Sequence, residues 1–308
     1  NSFALKPDFP SALRELRQTF RALANSSLPL TLDYITGLSY LCNAFYTAGC
    51  PPTMVVSAND KKACTGRDSS KIKILTANTL FFPPPFFFDQ REKADELVKL
   101  IRSYDPDIIF LQEVWDNNSL IYLIRKMPDY HAVLMPSPLF NRSGLLTLSR
   151  NMPECVSAEL YPLTIRHNFE ELLARKGLLT ARITFAGQPI WLVNTHLYSA
   201  PPGAAFRFAF GQFKQMQKRI LSCPGNVIAG GDLNLMPSEL EPLLDGIIRD
   251  NCNLPTAGFP QRKKKLDYLL AKSYGNTALE LTGRRSEWPV FFSDHSPVYA
   301  EIFVNQLH

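Results

Sequence analysis

Short apolar runs that each lead into a polar or acidic residue recur along most of this chain, and they restrict its fold more than any other feature. Lys71-Ile-Lys-Ile-Leu-Thr-Ala leads to Asn78 and Ile108-Ile-Phe-Leu to Gln112-Glu113. Ile190-Trp-Leu-Val leads to Asn194-Thr195-His196 and Val227-Ile-Ala-Gly-Gly to Asp232-Leu233-Asn234, while Asp294-His295 precedes Pro297-Val-Tyr. Runs this short, rich in β-branched and aromatic residues, read as strands. Strand ends and the loops after them are where a rigid scaffold presents functional groups.

The strands predicted are Ile72 to Ala77, Asp107 to Glu113, Leu145 to Ser149, Leu178 to Phe185, Ile190 to His196, Val227 to Asp232, Leu266 to Ala271 and Pro297 to Val304. Two helices are predicted among them. The first starts at Asp89 as cap with Glu92 answering, lines up Ala94, Leu97, Val98 and Ile101, and stops near Pro106. The second runs from Ala204 to Leu221 with Phe206, Phe210, Phe213 and Ile220 inward. Many strands with helices outside them suggest two stacked sheets in an α/β sandwich.

Residues 1–70 differ in pattern. Ala12 to Ala24 and Leu30 to Phe45 carry helical spacing, and Cys50 to Lys71 is polar and irregular, so 1–70 reads as a helical extension and linker and 71–308 as the main domain. Leu13, Leu16, Phe20 and Leu23 form a stripe for docking on that domain; the rival reading is a membrane-surface helix, with Arg14, Arg17 and Arg21 toward phosphates. The chain opens at Asn1 without a methionine or a signal-like apolar stretch, which is expected of a processed or trimmed chain.

No run approaches the roughly 18 uncharged apolar residues of a membrane span. The net charge of +5 is local, because removing Arg262, Lys263, Lys264 and Lys265 leaves +1. A generic nucleic-acid binder spreads its charge over a face. The six cysteines form no CxxC pair, which argues against a zinc ribbon. Cys50 and Cys64 suit a bridge in an exported protein and free thiols otherwise. The N-x-S/T triplets at Asn25, Asn117 and Asn141 are at the frequency of chance.

Asn78 and Glu113 are oxygen ligands suited to a hard cation, and no His or Cys cluster competes for zinc. Taken singly, each polar residue is an ordinary strand end, turn or cap. His131, His167 and His308 keep that bland reading. In chain order, however, the segments N, QE, NTHL, GDLN, LDY and SDH resemble the motifs of the endonuclease/exonuclease/phosphatase superfamily over residues 71–304.

That resemblance implies a four-layer α/β sandwich of two packed mixed sheets flanked by helices, and a metal-dependent hydrolase of phosphate esters. Mg²⁺, with Mn²⁺ or Co²⁺ as substitutes, would be held by Asn78, Glu113 and Asp294. Asp267 would fix His295, Asp232 and His295 would act on the attacking water or the phosphoryl group, and His196 and Asn234 would hold phosphate oxygens. Whether Asp232 or His295 is the base stays open.

For the substrate, the run Phe81-Phe-Pro-Pro-Pro-Phe-Phe-Phe88 directly after Asn78 reads as a rim loop, since prolines bar it from a central strand. Phe81, Phe82, Phe86, Phe87 and Phe88 then meet either lipid or the N-terminal extension. Lys176-Gly177 before an apolar strand and the NTHL segment, with Asn194 as a substrate contact, resemble neutral sphingomyelinases. Tyr198-Ser199-Ala200 departs from the His-Ala associated with many of them. The implied reaction is phospholipase C-type cleavage of a lipid headgroup by a secreted or membrane-associated enzyme whose partner is a lipid surface, with no protein partner. Arg262, Lys263, Lys264 and Lys265 could grip phosphates of lipid or nucleic acid, so a nuclease is the alternative. A phosphoinositide phosphatase is a further alternative, although no WCDR-type segment precedes Asp267.

Overall fold

The computed structural model describes residues 53–56, 71–82, 90–135, 141–162, 171, 174–199, 204–258, 264–285 and 293–306. The helices predicted over 12–24 and 30–45, the Cys50–Cys64 bridge and the Asp89 cap lie outside these residues. The strands in chain order are β1 Met54–Val56, β2 Lys71–Phe81, β3 Ile108–Val114, β4 His131–Leu134, β5 Leu146–Ser149, β6 Cys155–Leu160 and β7 Gly177–Phe185. They continue as β8 Gln188–His196, β9 Asn226–Asp232, β10 Ile248–Arg249, β11 Asp267–Lys272, β12 Thr277–Arg285 and β13 Val298–Gln306. The helices are α1 Arg91–Tyr104, α2 Asn117–Lys126, α3 Ala204–Ser222 and the single turn α4 Pro237–Leu240.

Two mixed sheets result, one in the order β1-β4-β5-β3-β2-β13-β12 and the other β10-β11-β9-β8-β7-β6. Successive side chains of a strand point to opposite faces, and these sequences use both. Ile72, Ile74, Ile108, Phe110, Leu192, Ile228 and Leu269 fill the space between the sheets. On the outer face of the first sheet, Leu75 and Ile109 meet Leu97 and Ile101 of α1. On the outer face of the second, Val193, Val227 and Leu270 meet Phe213, Met216 and Ile220 of α3. Each such fully buried side chain contributes roughly 1.5–3 kcal/mol. The four-layer sandwich is therefore the arrangement that buries both faces of both sheets.

Several elements escape sequence reading. β1 lies in the segment read as linker, yet it joins the first sheet as an edge strand against β4. The apolar, β-branched stretch of α2 masks a helix whose start is set by Asp116, which accepts from the Asn118 and Ser119 amides at 3.2 and 2.8 Å. The N-cap of α1 is Gln90, and its side chain does not cap the helix. On α3, Phe206 is exposed rather than inward, and Ala209, Met216 and the predicted Phe213 and Ile220 make the buried stripe.

Candidate active site

The sheet topology gathers the polar strand ends at one edge. β2 and β3 run parallel with Asn78 opposite Gln112, so Asn78 and Glu113 finish together. β8 and β9 are also parallel, with His196 opposite Asp232. The antiparallel β11 begins where those two end, placing Asp267 opposite Asp232. β13 likewise begins beside Thr76 near the end of β2, so Asp294 and His295, which precede it, arrive at the same edge.

Local backbone makes this convergence possible. Gly231 has φ +138°, and a Cβ there would lie 1.9 Å from the Thr195 carbonyl oxygen, so only glycine lets β8 and β9 meet next to Asp232. Glu113 and Asn234 adopt left-handed φ of 58° and 49°. Such conformations in non-glycine residues cost roughly 1–3 kcal/mol each and cluster at functional sites.

The side chains form one connected group. Asn78 Nδ2 donates to Glu113 Oε1 at 3.0 Å and to Asp232 Oδ2 at 3.1 Å. His196 Nε2 lies 3.4 Å from Asp232 Oδ2 and 3.9 Å from Glu113 Oε1. His295 Nδ1 is 2.9 Å from Asp267 Oδ2, and its Nε2 is 3.8 Å from Asp232 Oδ2. Asn234 is folded back on the group, with its amide N–H on Asp232 Oδ1 at 3.0 Å and its Nδ2 on the Leu197 carbonyl at 3.1 Å.

Burial sets the protonation states. It would lower the His295 imidazole, but the charges of Asp267 and Asp232 and the hydrogen bond to Asp267 outweigh it and raise it to about 10. Burial pushes Asp232 up to about 7 against the opposing charge of His295. It also raises Glu113, against the hydrogen bond from Asn78. His196 is driven well below its usual value by burial and by the charges of Lys176 and His295, and is neutral. The site thus pairs an imidazolium with a carboxylate poised to take a proton.

Glu113 Oε2 is buried without a hydrogen-bond partner, while its Oε1 accepts from Asn78 Nδ2. Hard oxygen donors with an open lone pair fit Mg²⁺, which takes one or two carboxylates and leaves the rest to water and substrate. Asp232, Asp267 and His295 are also near enough together to hold an ion. Asn78 and Glu113 could hold such a cation as well, with the exposed Asp294 acting on Glu113 from nearby.

Residues 75–295 match the profile of the Endonuclease/Exonuclease/phosphatase family. The chain belongs to the endonuclease/exonuclease/phosphatase family. Among curated relatives, tyrosyl-DNA phosphodiesterase 2 of Xenopus laevis is 27% identical over 151 residues, and that of Bos taurus is 28% identical over the same length. These matches cover 48% of this chain and 38% of each relative, so they span well under half of the relatives' own length. Similar solved structures include D. rerio TDP2 complexed with single strand DNA product, 20% identical with a TM-score of 0.61 over 76% of this chain and 99% of that one. Sphingomyelinase C from Streptomyces griseocarneus is 17% identical, with a TM-score of 0.60 over 75% of this chain and 99% of that one. A Staphylococcus aureus beta toxin variant with bound magnesium ions is also 17% identical, with a TM-score of 0.61 over the same shares.

Within this family fold, the eight residues Asn78, Glu113, His196, Asp232, Asn234, Asp267, Asp294 and His295 stand at one edge. Three predicted substrate contacts do not join them. Asn194 is fully buried and ties the sheets together, accepting from Gln112 Nε2 at 2.9 Å and donating to the Leu111 and Leu146 carbonyls. Phe81 is the last residue of β2 and packs in the core beneath α1, because a strand end facing a helix needs an apolar residue there. Lys265 is buried in an ion pair with Asp250 at 3.1 Å, so the basic run is partly a structural anchor. Lys264 is exposed, and its backbone bridges to Ala257. Phe82 is half-buried at the start of the loop, while Phe86, Phe87, Phe88, Arg262 and Lys263 lie outside the described residues.

Sequence reasoning missed Lys93 and took Lys176 only as part of a family resemblance, not as a site cation. Lys93, on α1, donates to the Leu80 carbonyl, and burial lowers it to about 8 against the charges of Glu113 and Asp294. Lys176 is buried against Glu171. Neither has a sequence signal beyond the Lys-Gly pair, because helix packing and strand register bring them to the site.

Proposed function

We propose that this chain is a Mg²⁺-dependent phosphodiesterase that cleaves the headgroup from a lipid at a membrane surface. The observation carrying the hydrolase reading is His295 held between Asp267 and Asp232, with Asp232 in turn joined through Asn78 to Glu113. A cation held by Asn78 and Glu113 would supply positive charge to a phosphate oxygen and to the attacking water. Asp232 takes the proton of that water, whose oxygen bonds to phosphorus as the bond from phosphorus to the lipid alcohol breaks. The alkoxide takes a proton from solvent. His295, oriented by Asp267, puts its charge beside the developing oxyanion. The raised imidazole makes Asp232 the better base of the two.

Exposed apolar residues on the segments that follow His196 and Asn234 in the chain support the lipid part. Phe206 stands 40% exposed at the start of α3, its ring tilted against that of Phe210 with centroids 5.8 Å apart. Met236, two residues after Asn234, is also exposed. No helix among the described residues is long and apolar enough to cross a membrane, so contact would be at the surface. The test is release of phosphocholine from sphingomyelin vesicles with Mg²⁺. Cleavage of a 5′-tyrosyl DNA oligonucleotide with no phosphocholine release would overturn the lipid reading. The nucleic-acid reading is favoured by the tyrosyl-DNA phosphodiesterase relatives and by exposed Lys264.

A further inference from the structure

One buried cation has no part in the chemistry above. Lys176 precedes β7 and is 5% exposed; its ammonium donates to Glu171 Oε1 at 2.8 Å and to the Leu197 carbonyl at 2.9 Å. The same Glu171 oxygen accepts the Ser199 amide at 2.8 Å. The Leu197 carbonyl also receives Asn234 Nδ2, and the Leu197 amide donates to the Asp232 carbonyl at 2.9 Å. Leu197 thus joins the segment leaving His196 to the segment leaving Asp232, and the Lys176 ammonium is bound to the same carbonyl.

Stability alone does not explain why this pair is charged. Removing two charges from water costs several kcal/mol per ion, and apolar replacements of similar volume are often as stable. The entry of Lys176 is also tightly set. Gly177 lies so close to β6 that a Cβ would stand 2.2 Å from the Glu159 carbonyl oxygen, which fixes where the lysine turns inward. Its charge acts on Glu113, His196 and Asp232.

We propose that Lys176, paired with Glu171, is a positioning residue for phosphoester hydrolysis. It holds the Leu197 carbonyl so that His196 and Asn234 keep their spacing from Asp232 while phosphate is bound. This inference rests on the hydrolase reading.

The test uses the full chain with Mg²⁺ and the soluble diester bis(p-nitrophenyl) phosphate. Lys176→Met alone strands a buried Glu171 carboxylate and endangers folding. The double variant Lys176→Met, Glu171→Gln removes both charges and leaves the Ser199 amide an acceptor. The double variant is expected to melt near the wild-type temperature and to lose kcat about 10- to 100-fold with KM little changed. The Asn234 side-chain amide resonances should also shift, which a structural role elsewhere would not cause. A folded double variant with wild-type kcat, or with unmoved Asn234 amide signals, would overturn the inference while an active wild type left the hydrolase reading standing. A wild-type protein no more active than His295→Ala would overturn both.

Discussion

Replacing Asp267 by Asn keeps the shape of the site and removes one charge from beside His295. Asp267 is fully buried, and its Oδ2 stands 2.9 Å from His295 Nδ1. An opposite charge at such range is worth about 1–3 pK units, or about 1.4–4 kcal/mol of preference for the imidazolium. His295 in Asp267→Asn should therefore titrate about 1–3 units below its value of about 10. The sign for stability follows from the raised folded value. The charged pair stabilises the native state fully below the unfolded histidine pKa of about 6.5, and this is lost as pH rises through about 10. The wild-type advantage over Asp267→Asn should be largest in acid and shrink in alkali. NMR titration of the His295 ring in metal-free protein reads the shift directly. The pH–rate profile should show its alkaline limb displaced toward acid, with kcat reduced about 10²- to 10⁴-fold. An unmoved or raised His295 midpoint would refute the assignment of Asp267 as the group that holds the proton on His295.

Three further outcomes are expected. Glu113→Gln removes the carboxylate with the open Oε2 and should weaken Mg²⁺ binding by calorimetry at least about tenfold, or ~1.4 kcal/mol; unchanged affinity would place the cation elsewhere. Phe81→Ala should lose about 3–5 kcal/mol in denaturant titration, whereas Phe206→Ser should stay within about 0.5 kcal/mol yet co-sediment less with vesicles. Lys265→Ala, which leaves Asp250 buried and unpaired, should cost about 3–5 kcal/mol, and Lys264→Ala almost nothing; equal effects in denaturant would contradict the burial of Lys265.

Short apolar runs ending in polar residues made the stacked sheets legible in the linear sequence, and the order of those motifs, through the family resemblance, named the eight residues at their edge. A run such as Ile72 to Asn78 carries its own evidence, since the apolar residues must face two covered sides and the terminal polar residue cannot follow them inward. Short or half-buried elements carried no such evidence. β4 spans four residues, β6 is only partly buried, and α2 owes its start to Asp116 rather than to helical composition.

Which polar residues face the reaction and which serve the scaffold was decided only by tertiary structure. Asn194 and His196 sit two apart on one strand, on the same face, yet the first spends its amide on the opposite sheet and the second reaches Asp232. Lys264 and Lys265 are neighbours in a basic run, but one is exposed and the other is sealed against Asp250. Residue type and order determine what chemistry is available. Depth and partner, which depend on register across strands far apart in sequence, determine whether a given side chain meets substrate or neighbouring protein.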